Sequence, residues 1–272
     1  FLLCLKEESM DLEEKKRLKD FWNHMAENFS EYEIPTPYNN AFMKLLYIKG
    51  ILECGGSALD IGCGAGKYSL ALSKYFNEII GTDISEEMIK YANYRKEKEN
   101  IKNVKFDCIS WQDLETEKIG WNNKYNFVFA HMTPAINSEA TLQKLRSVSK
   151  KWCAVTKSVY RKNEIADKMN AICGITSNGY GEEELLNLLR ILWKDGIKPE
   201  IYYETEVWEN KLKTEKATES YIKRMSVKKQ ISDEAKTGIQ NYFNSISKDG
   251  IVNEKTDVII CTVYWKENKE EK

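Results

Sequence analysis

A chain of 272 residues with 42% hydrophobic and 31% charged positions can bury a sizeable core and lacks the composition of a disordered polypeptide. Its 41 Lys and Arg nearly cancel its 42 Asp and Glu, which argues against a dedicated nucleic-acid binder, because that class carries a basic excess. No apolar run approaches the ~20 residues that a membrane-spanning helix needs, so the sequence reads as a cytoplasmic protein without a membrane partner.

In chain order, Phe1 to Leu5 is too short for a signal-peptide core. Met10-Asp11-Leu12-Glu13 reads like a natural start, so residues 1–9 read as an upstream extension. Leu12, Leu18, Phe21, Trp22, Met25 and Phe29 recur at amphipathic spacing and predict a helix over 11–29. A second helix is predicted over 39–52, separated from the first by Pro35 and Pro37 and ended by Gly55-Gly56. Strands and helices then alternate. Strands are expected at 58–61, 78–83, 103–106, 125–130 and 152–156, with helices at 66–76, after Ser85, and at 138–149. Ser85 suits a helix N-cap, and Glu86 and Glu87 complement the dipole of the first turn. Beyond residue 160 helices are expected at 161–173, 182–194, 214–225 and 232–247, with strands at 199–208 and 256–265. Repeated β-α-β units predict an α/β fold. The expected architecture is a three-layer, doubly wound sheet of about seven strands, mostly parallel, with an antiparallel edge made by the last two.

The chemistry-bearing segment is Leu59-Asp60-Ile61-Gly62-Cys63-Gly64-Ala65-Gly66-Lys67-Tyr68-Ser69, a strand, a glycine-rich turn and a helix start. Glycine removes the Cβ atoms that keep a ligand off the backbone, and the helix behind offers unpaired N–H groups. Asp83 ends the next strand, at the spacing from which an acid reaches a ribose diol. A P-loop needs G-x-x-x-x-G-K-[ST], but Gly66-Lys67 is followed by Tyr68, and Ile61 stands where the first glycine belongs. A dinucleotide turn prefers G-x-G-x-x-G, whereas the spacing is G-x-G-x-G. S-adenosylmethionine, with a ribose and adenine but no phosphate, is the remaining reading.

Asp60-Ile61-Gly62-Cys63-Gly64-Ala65-Gly66 resembles the first motif of class I, Rossmann-like S-adenosylmethionine-dependent methyltransferases, of the small-molecule type. Gly81-Thr82-Asp83-Ile84-Ser85-Glu86-Glu87-Met88-Ile89 is similar to the second, and the match runs in order over roughly residues 20–160. The resemblance implies roles. Gly62, Gly64 and Gly66 line the methionine and ribose moieties, with Cys63 as a small buried filler. Asp60 orients the loop or meets the amino group. Asp83 holds the ribose hydroxyls, and Ile84 and Met88 pack on the adenine. Ser110 and Trp111 fall where an acid and an apolar residue usually contact the adenine; Ser110 replaces the acid, and Trp111 is expected to stack on the ring. Asp113 is read as a surface or capping acid. Ala130-His131-Met132-Thr133-Pro134 occupies the loop that faces sulfonium and acceptor, and it lacks the Asn/Asp-Pro-Pro-aromatic sequence of amino-methylating DNA enzymes. Trp22 to Tyr32 is similar to a lid segment, from which Tyr32 covers the cofactor. The expected organisation is one methyltransferase domain over 1–272: an N-terminal helical lid (10–52), a cofactor-binding core (53–160), a helical insertion covering the acceptor (161–198), C-terminal strands and helices (199–265) and a frayed tail (266–272).

His131 is the candidate catalytic residue, a general base for an acceptor hydroxyl; a cofactor-wall or structural hydrogen bond is its competing role. His24, on an amphipathic helix, reads as a surface or lid residue. The seven cysteines (4, 54, 63, 108, 153, 173 and 261) contain no C-x-x-C pair, which suggests reduced thiols, no disulfide framework and no metal site. Tyr180, Trp193, Tyr202, Tyr203 and Trp208 are expected in the core, or else around an acceptor. The functional expectation is methyl transfer to a small molecule. The alternatives are an RNA or protein methyltransferase and a non-catalytic module that only holds the cofactor.

Overall fold

The computed structural model describes residues 12–176 and 181–267. The proposed start at Met10, Cys4 and Tyr180 lie outside them. The described chain opens with α1 (Leu12–Met25) and a 3₁₀ turn (Ala26–Phe29), then α2 (Ala41–Ile48). Asn40 caps α2 by accepting the Met43 N–H at 3.0 Å. The α/β series follows: β1 (Ser57–Ile61), α3 (Lys67–Leu72), β2 (Glu78–Asp83), α4 (Glu86–Lys98), β3 (Val104–Cys108), β4 (Tyr125–His131), α5 (Glu139–Val148) and β5 (Ser149–Lys162). The remainder is α6 (Glu164–Cys173), α7 (Glu182–Lys194), β6 (Glu200–Lys213), α8 (Thr214–Lys228), α9 (Asp233–Ile246) and β7 (Ile251–Lys266).

The seven strands form one sheet in the order β3-β2-β1-β4-β5-β7-β6, mostly parallel with an antiparallel edge. β1 lies between β2 and β4, with Leu59 opposite both Ile80 and Val128. The order reverses between β1 and β4, so their carboxyl ends flank the crevice where open α/β sheets bind ligands. Two-sided cover explains the continuous apolar strands: Leu59, Ile61, Ile79, Phe127, Val128 and Phe129 are fully buried. Each such side chain contributes on the order of 1.5–3 kcal/mol. Ser85 caps α4 as expected, accepting the Met88 N–H at 3.1 Å, and Ser138 caps α5 in a reciprocal box with Thr141.

Three strands outrun their expected lengths. β5, β6 and β7 have 14, 14 and 16 residues, because their charged ends continue the extended backbone where composition suggested helix or loop. Among the described residues two compact units are distinguished, one comprising 12–157, 183–202 and 261–267 and the other 158–176, 181–182 and 203–260. Each boundary falls inside or beside a strand or helix, so no linker composition marks it. α6 lies in the second unit and most of α7 in the first. The second unit has its own core of Met169, Tyr221, Met225, Ile239 and Phe243 from α6, α8 and α9. Its buried Glu254 is satisfied by Asn163 Nδ2 at 2.8 Å and by the Tyr221 hydroxyl.

The expected burial of the later aromatics is only partly met. Tyr202 and Trp208 are half-buried, and Trp208 lies against the Arg161 guanidinium. Trp193 and Tyr203 are 61% and 59% exposed and lie outside the core, since each occupies the outward position of its element. None of the described helices is long and apolar enough to cross a membrane.

Candidate functional site

The carboxyl end of β1 runs into a turn whose three glycines all have left-handed backbone, with φ of 70° at Gly62, 53° at Gly64 and 84° at Gly66. Non-glycine residues enter that region only at a cost. The turn is tied to β2 by the Gly62 and Cys63 N–H groups, both donating to the Thr82 carbonyl at 2.7 and 2.9 Å. The space left by each absent Cβ differs. At Gly62 it is filled by Thr133, whose Oγ1 lies 2.1 Å from the ideal Cβ position. At Gly66 it is filled by Phe106 Cζ at 2.7 Å and Ala92 Cβ at 3.1 Å. At Gly64 only Met88 Sδ comes near, at 3.9 Å. Gly64 is therefore the glycine with bare backbone facing open space, while Gly62 and Gly66 are glycine to admit protein side chains.

Asp83 is fastened beside Gly64. Its Oδ2 accepts the Gly64 N–H and its Oδ1 the Ser85 N–H, each at 2.9 Å. Burial raises its pKa, and the two backbone donors pull the other way by favouring the carboxylate. Asp60 faces the other way. It is 2% exposed and takes the Ser69 hydroxyl proton at 2.6 Å, so it braces the first turns of α3 and has no open side. Desolvation, helped by the neighbouring Asp83 charge, pushes it up to about 7. Cys63 is buried and its thiol is driven well above its ordinary range, which makes it an unreactive filler.

The N-terminal segment packs on the same end. Asn23 Oδ1 accepts from the Ser85 hydroxyl at 2.7 Å and the Glu87 N–H at 3.3 Å, fixing α1 on the start of α4. Met88 is buried with Ala26 and Ala65, against Trp22, Tyr32 and Tyr91; Ile84 is half-buried. The Tyr32 hydroxyl donates to the Ala65 carbonyl at 2.7 Å, and Arg95 holds Tyr32 from both sides, stacking 4.6 Å from its ring and donating to its carbonyl at 2.7 Å. His24, by contrast, is exposed.

The residues after β3 diverge from expectation. Trp111 is 3% exposed; its indole N–H donates to the Thr141 carbonyl at 3.2 Å, and Lys144 covers its ring. It has no free face for stacking, because an indole at this position is better satisfied by α5 than by solvent or ligand. Ser110 donates to Gln112 Oε1 at 3.2 Å, and Asp113 pairs with Lys15 as a surface acid.

At the carboxyl end of β4, Ala130 is buried and His131 is wedged between Phe42 and Tyr68, with ring centroids 4.7 and 4.2 Å away. Its Nε2 is buried without a hydrogen-bond partner. Desolvation, with the Lys67 charge, lowers its pKa to about 3, so it is neutral under physiological conditions and a weak base. Sequence reasoning placed Thr133 in the acceptor-facing loop without a role of its own, and it missed Lys157. Lys157 is 8% exposed and donates to the Thr133 carbonyl at 3.0 Å and to Glu184. The visible signal was a lysine inside the apolar strand Ala154-Val155-Thr156-Lys157-Ser158-Val159. Among the described residues no group of three or more His, Cys, Asp or Glu could hold a metal ion, and Cys153 and Cys173 are both buried.

Comparison with known proteins gives this site a context. The family model described as a methyltransferase domain matches residues 52–205, more than half of the chain. A ubiquinone biosynthesis O-methyltransferase of Coxiella burnetii is 30% identical over 117 residues, 42% of this chain and 46% of the relative. A tRNA/tmRNA (uracil-C(5))-methyltransferase of Nitratiruptor sp. is 31% identical over 99 residues, 35% of this chain and 26% of the relative. The chain thus spans less than half the length of these curated relatives. Magnesium protoporphyrin IX methyltransferase from Synechocystis, solved with bound S-adenosylhomocysteine, superposes with a TM-score of 0.51 at 16% identity, covering 92% of this chain and 99% of that one, a likeness of fold.

Proposed function

We propose, from the premise that this chain belongs to the methyltransferase-domain family with the class I fold, that it binds S-adenosylmethionine at the glycine turn and transfers its methyl group to a small-molecule acceptor. One observation carries the reading: bare Gly64 backbone stands open beside a carboxylate, Asp83, already oriented by two backbone donors. The residues fit the cofactor. Asp83 keeps lone pairs free to accept two ribose hydroxyls, and Gly64 allows contact with the backbone. Ile84 and Met88 bound the adenine side, Ser110 and Ala130 lie at the adjoining strand ends, and Tyr32 closes the turn from the N-terminal segment. Asp60, Gly62, Cys63 and Gly66 shape the loop from within.

S-adenosylmethionine supplies an activated methyl group on a sulfonium. The protein's part is alignment of acceptor and methyl and exclusion of water, which carries much of such a transfer. His131 serves this best as a neutral wall whose unpaired Nε2 takes a hydrogen bond from a bound molecule. With a pKa near 3 it gains little as a proton acceptor at neutral pH.

The balanced charge and the O-methyltransferase relative support a small-molecule acceptor. The tRNA methyltransferase relatives favour RNA as the second reading. Titration calorimetry with S-adenosylmethionine and S-adenosylhomocysteine tests the cofactor, with micromolar binding expected; no binding by folded protein refutes the site. Salt-dependent binding of tRNA would move the acceptor assignment to RNA. Cofactor binding without turnover on any acceptor would favour the non-catalytic module.

A further inference from the structure

The loop that leaves β4 is fastened more tightly than a surface connection requires. Met132 adopts left-handed backbone (φ 55°) although it is not glycine, and its N–H donates to the Thr156 carbonyl at 2.9 Å. The next residue, Thr133, is buried and held at three points. Its carbonyl accepts from Lys157 Nζ at 3.0 Å, its Oγ1 accepts the Ala135 N–H at 3.2 Å, and its side chain fills the space of the missing Gly62 Cβ. Lysine is among the residues least often buried, and this one has a single carboxylate partner, Glu184, whose side chain is itself 45% exposed. A buried ammonium spent on a loop carbonyl points to a demand for exact placement of that loop.

We infer that Lys157 is a positioning residue for the cofactor site, acting through Thr133 on Gly62 to hold the glycine turn in its binding shape. The inference rests on the proposed cofactor reading. Lys157 does not touch the turn. It fixes the Thr133 carbonyl, Thr133 packs on Gly62, and Gly62 is two residues from the open backbone of Gly64. Loss of the ammonium leaves a buried carbonyl unpaired and lets the left-handed turn relax, so Thr133 leaves its seat. Coupling of this kind is non-additive, because once Thr133 no longer fills the space at Gly62 the lysine has nothing to transmit.

The test is a double-mutant cycle read by S-adenosylhomocysteine titration calorimetry on the full chain, with melting temperature recorded beside it. Lys157→Met is expected to weaken binding about tenfold, a typical size for one lost charge-assisted hydrogen bond. Lys157→Arg, which keeps a donor cation, is expected to restore most of it. Thr133→Ala should weaken binding as well, and adding Lys157→Met to Thr133→Ala should cost no more. Additive losses, an unchanged affinity in Lys157→Met, or failure of the arginine to rescue overturns the assignment. If Lys157→Met does not fold, the comparison of Lys157→Arg with Thr133→Ala decides: near-wild-type affinity in the first and weakened affinity in the second is expected, and the reverse refutes it. Absence of binding by the unmodified protein instead refutes the cofactor reading itself.

Discussion

Asp60→Asn should change how stability depends on pH, in a direction opposite to most carboxylates. The Asp60 carboxyl is fully desolvated and sits at about 7, against an ordinary value of 3.8. The folded state therefore keeps a proton that the unfolded chain releases. Stability due to this group is present below pH 3.8 and is lost as pH rises through 7, because between those values the native state binds more protons than the unfolded one. Applying that linkage with about 1.4 kcal/mol per pKa unit, Asp60 withdraws roughly 2.5 kcal/mol between pH 5 and pH 8. His131 works the other way. Its folded value of about 3 lies below the ordinary 6.5, so its contribution rises with pH between those limits. The wild-type curve alone mixes the two, and the difference between variant and wild type isolates Asp60. Asparagine can still accept the Ser69 hydroxyl, so steric and hydrogen-bond costs are a constant offset. Urea unfolding of both proteins at pH 5 and pH 8 is the assay, with the variant expected to gain on wild type at the higher pH. Parallel curves would falsify the claim that Asp60 is held neutral by burial.

Three further outcomes follow from the same geometry. Asp83→Ala should weaken S-adenosylhomocysteine binding by about 1.5–3 kcal/mol, the range for hydrogen bonds to a charged group, and calorimetry showing unchanged affinity would remove Asp83 from the site. Gly62→Ala should lower the melting temperature more than Gly64→Ala, because its Cβ meets Thr133 Oγ1 at 2.1 Å whereas at Gly64 the nearest atom is 3.9 Å away. Gly64→Ala should pay mainly the left-handed backbone cost of about 1–2 kcal/mol, yet lose cofactor affinity; equal melting temperatures would contradict the packing. The His131 imidazole protons should show no titration in NMR between pH 5 and pH 8, and a midpoint near neutrality would restore the general-base role.

The succession of strands along the chain, the capping of α4 by Ser85, the glycine turn and the place of Asp83 at the end of β2 were legible because each is a local pattern: a run of apolar residues, a cap, or a fixed spacing between a turn and the next strand. The chain reads least well where neighbours distant in sequence decide. Trp111 looked like a stacking residue by position, but Thr141 and Lys144, some thirty residues on, claim both its N–H and its ring. β5, β6 and β7 were cut short because their ends alternate charged and apolar residues at the rim of the sheet, where one side is solvent and composition resembles a loop. The two units left no mark for a related reason, since the chain passes between them within regular elements.

The three glycines of the turn show why a motif underdetermines its own explanation. Read alone, all three serve the ligand, since a missing Cβ lets a ligand reach the backbone. In the fold, Phe106 of β3 and Ala92 of α4 occupy the space at Gly66, and Thr133 occupies that at Gly62. Each is a residue that a neighbouring strand, helix or loop brings to the carboxyl end of β1. Substitutions at the outer glycines therefore perturb how β3, α4 and the β4 loop meet that end. Of the three, Gly64 alone has open space where a Cβ would stand. The spacing G-x-G-x-G thus carries packing constraints at its two outer positions that the motif alone does not reveal. Shrinking Thr133 and Phe106 would remove the worst of the collisions at the outer positions, but alanine there would still carry the left-handed backbone cost of about 1–2 kcal/mol.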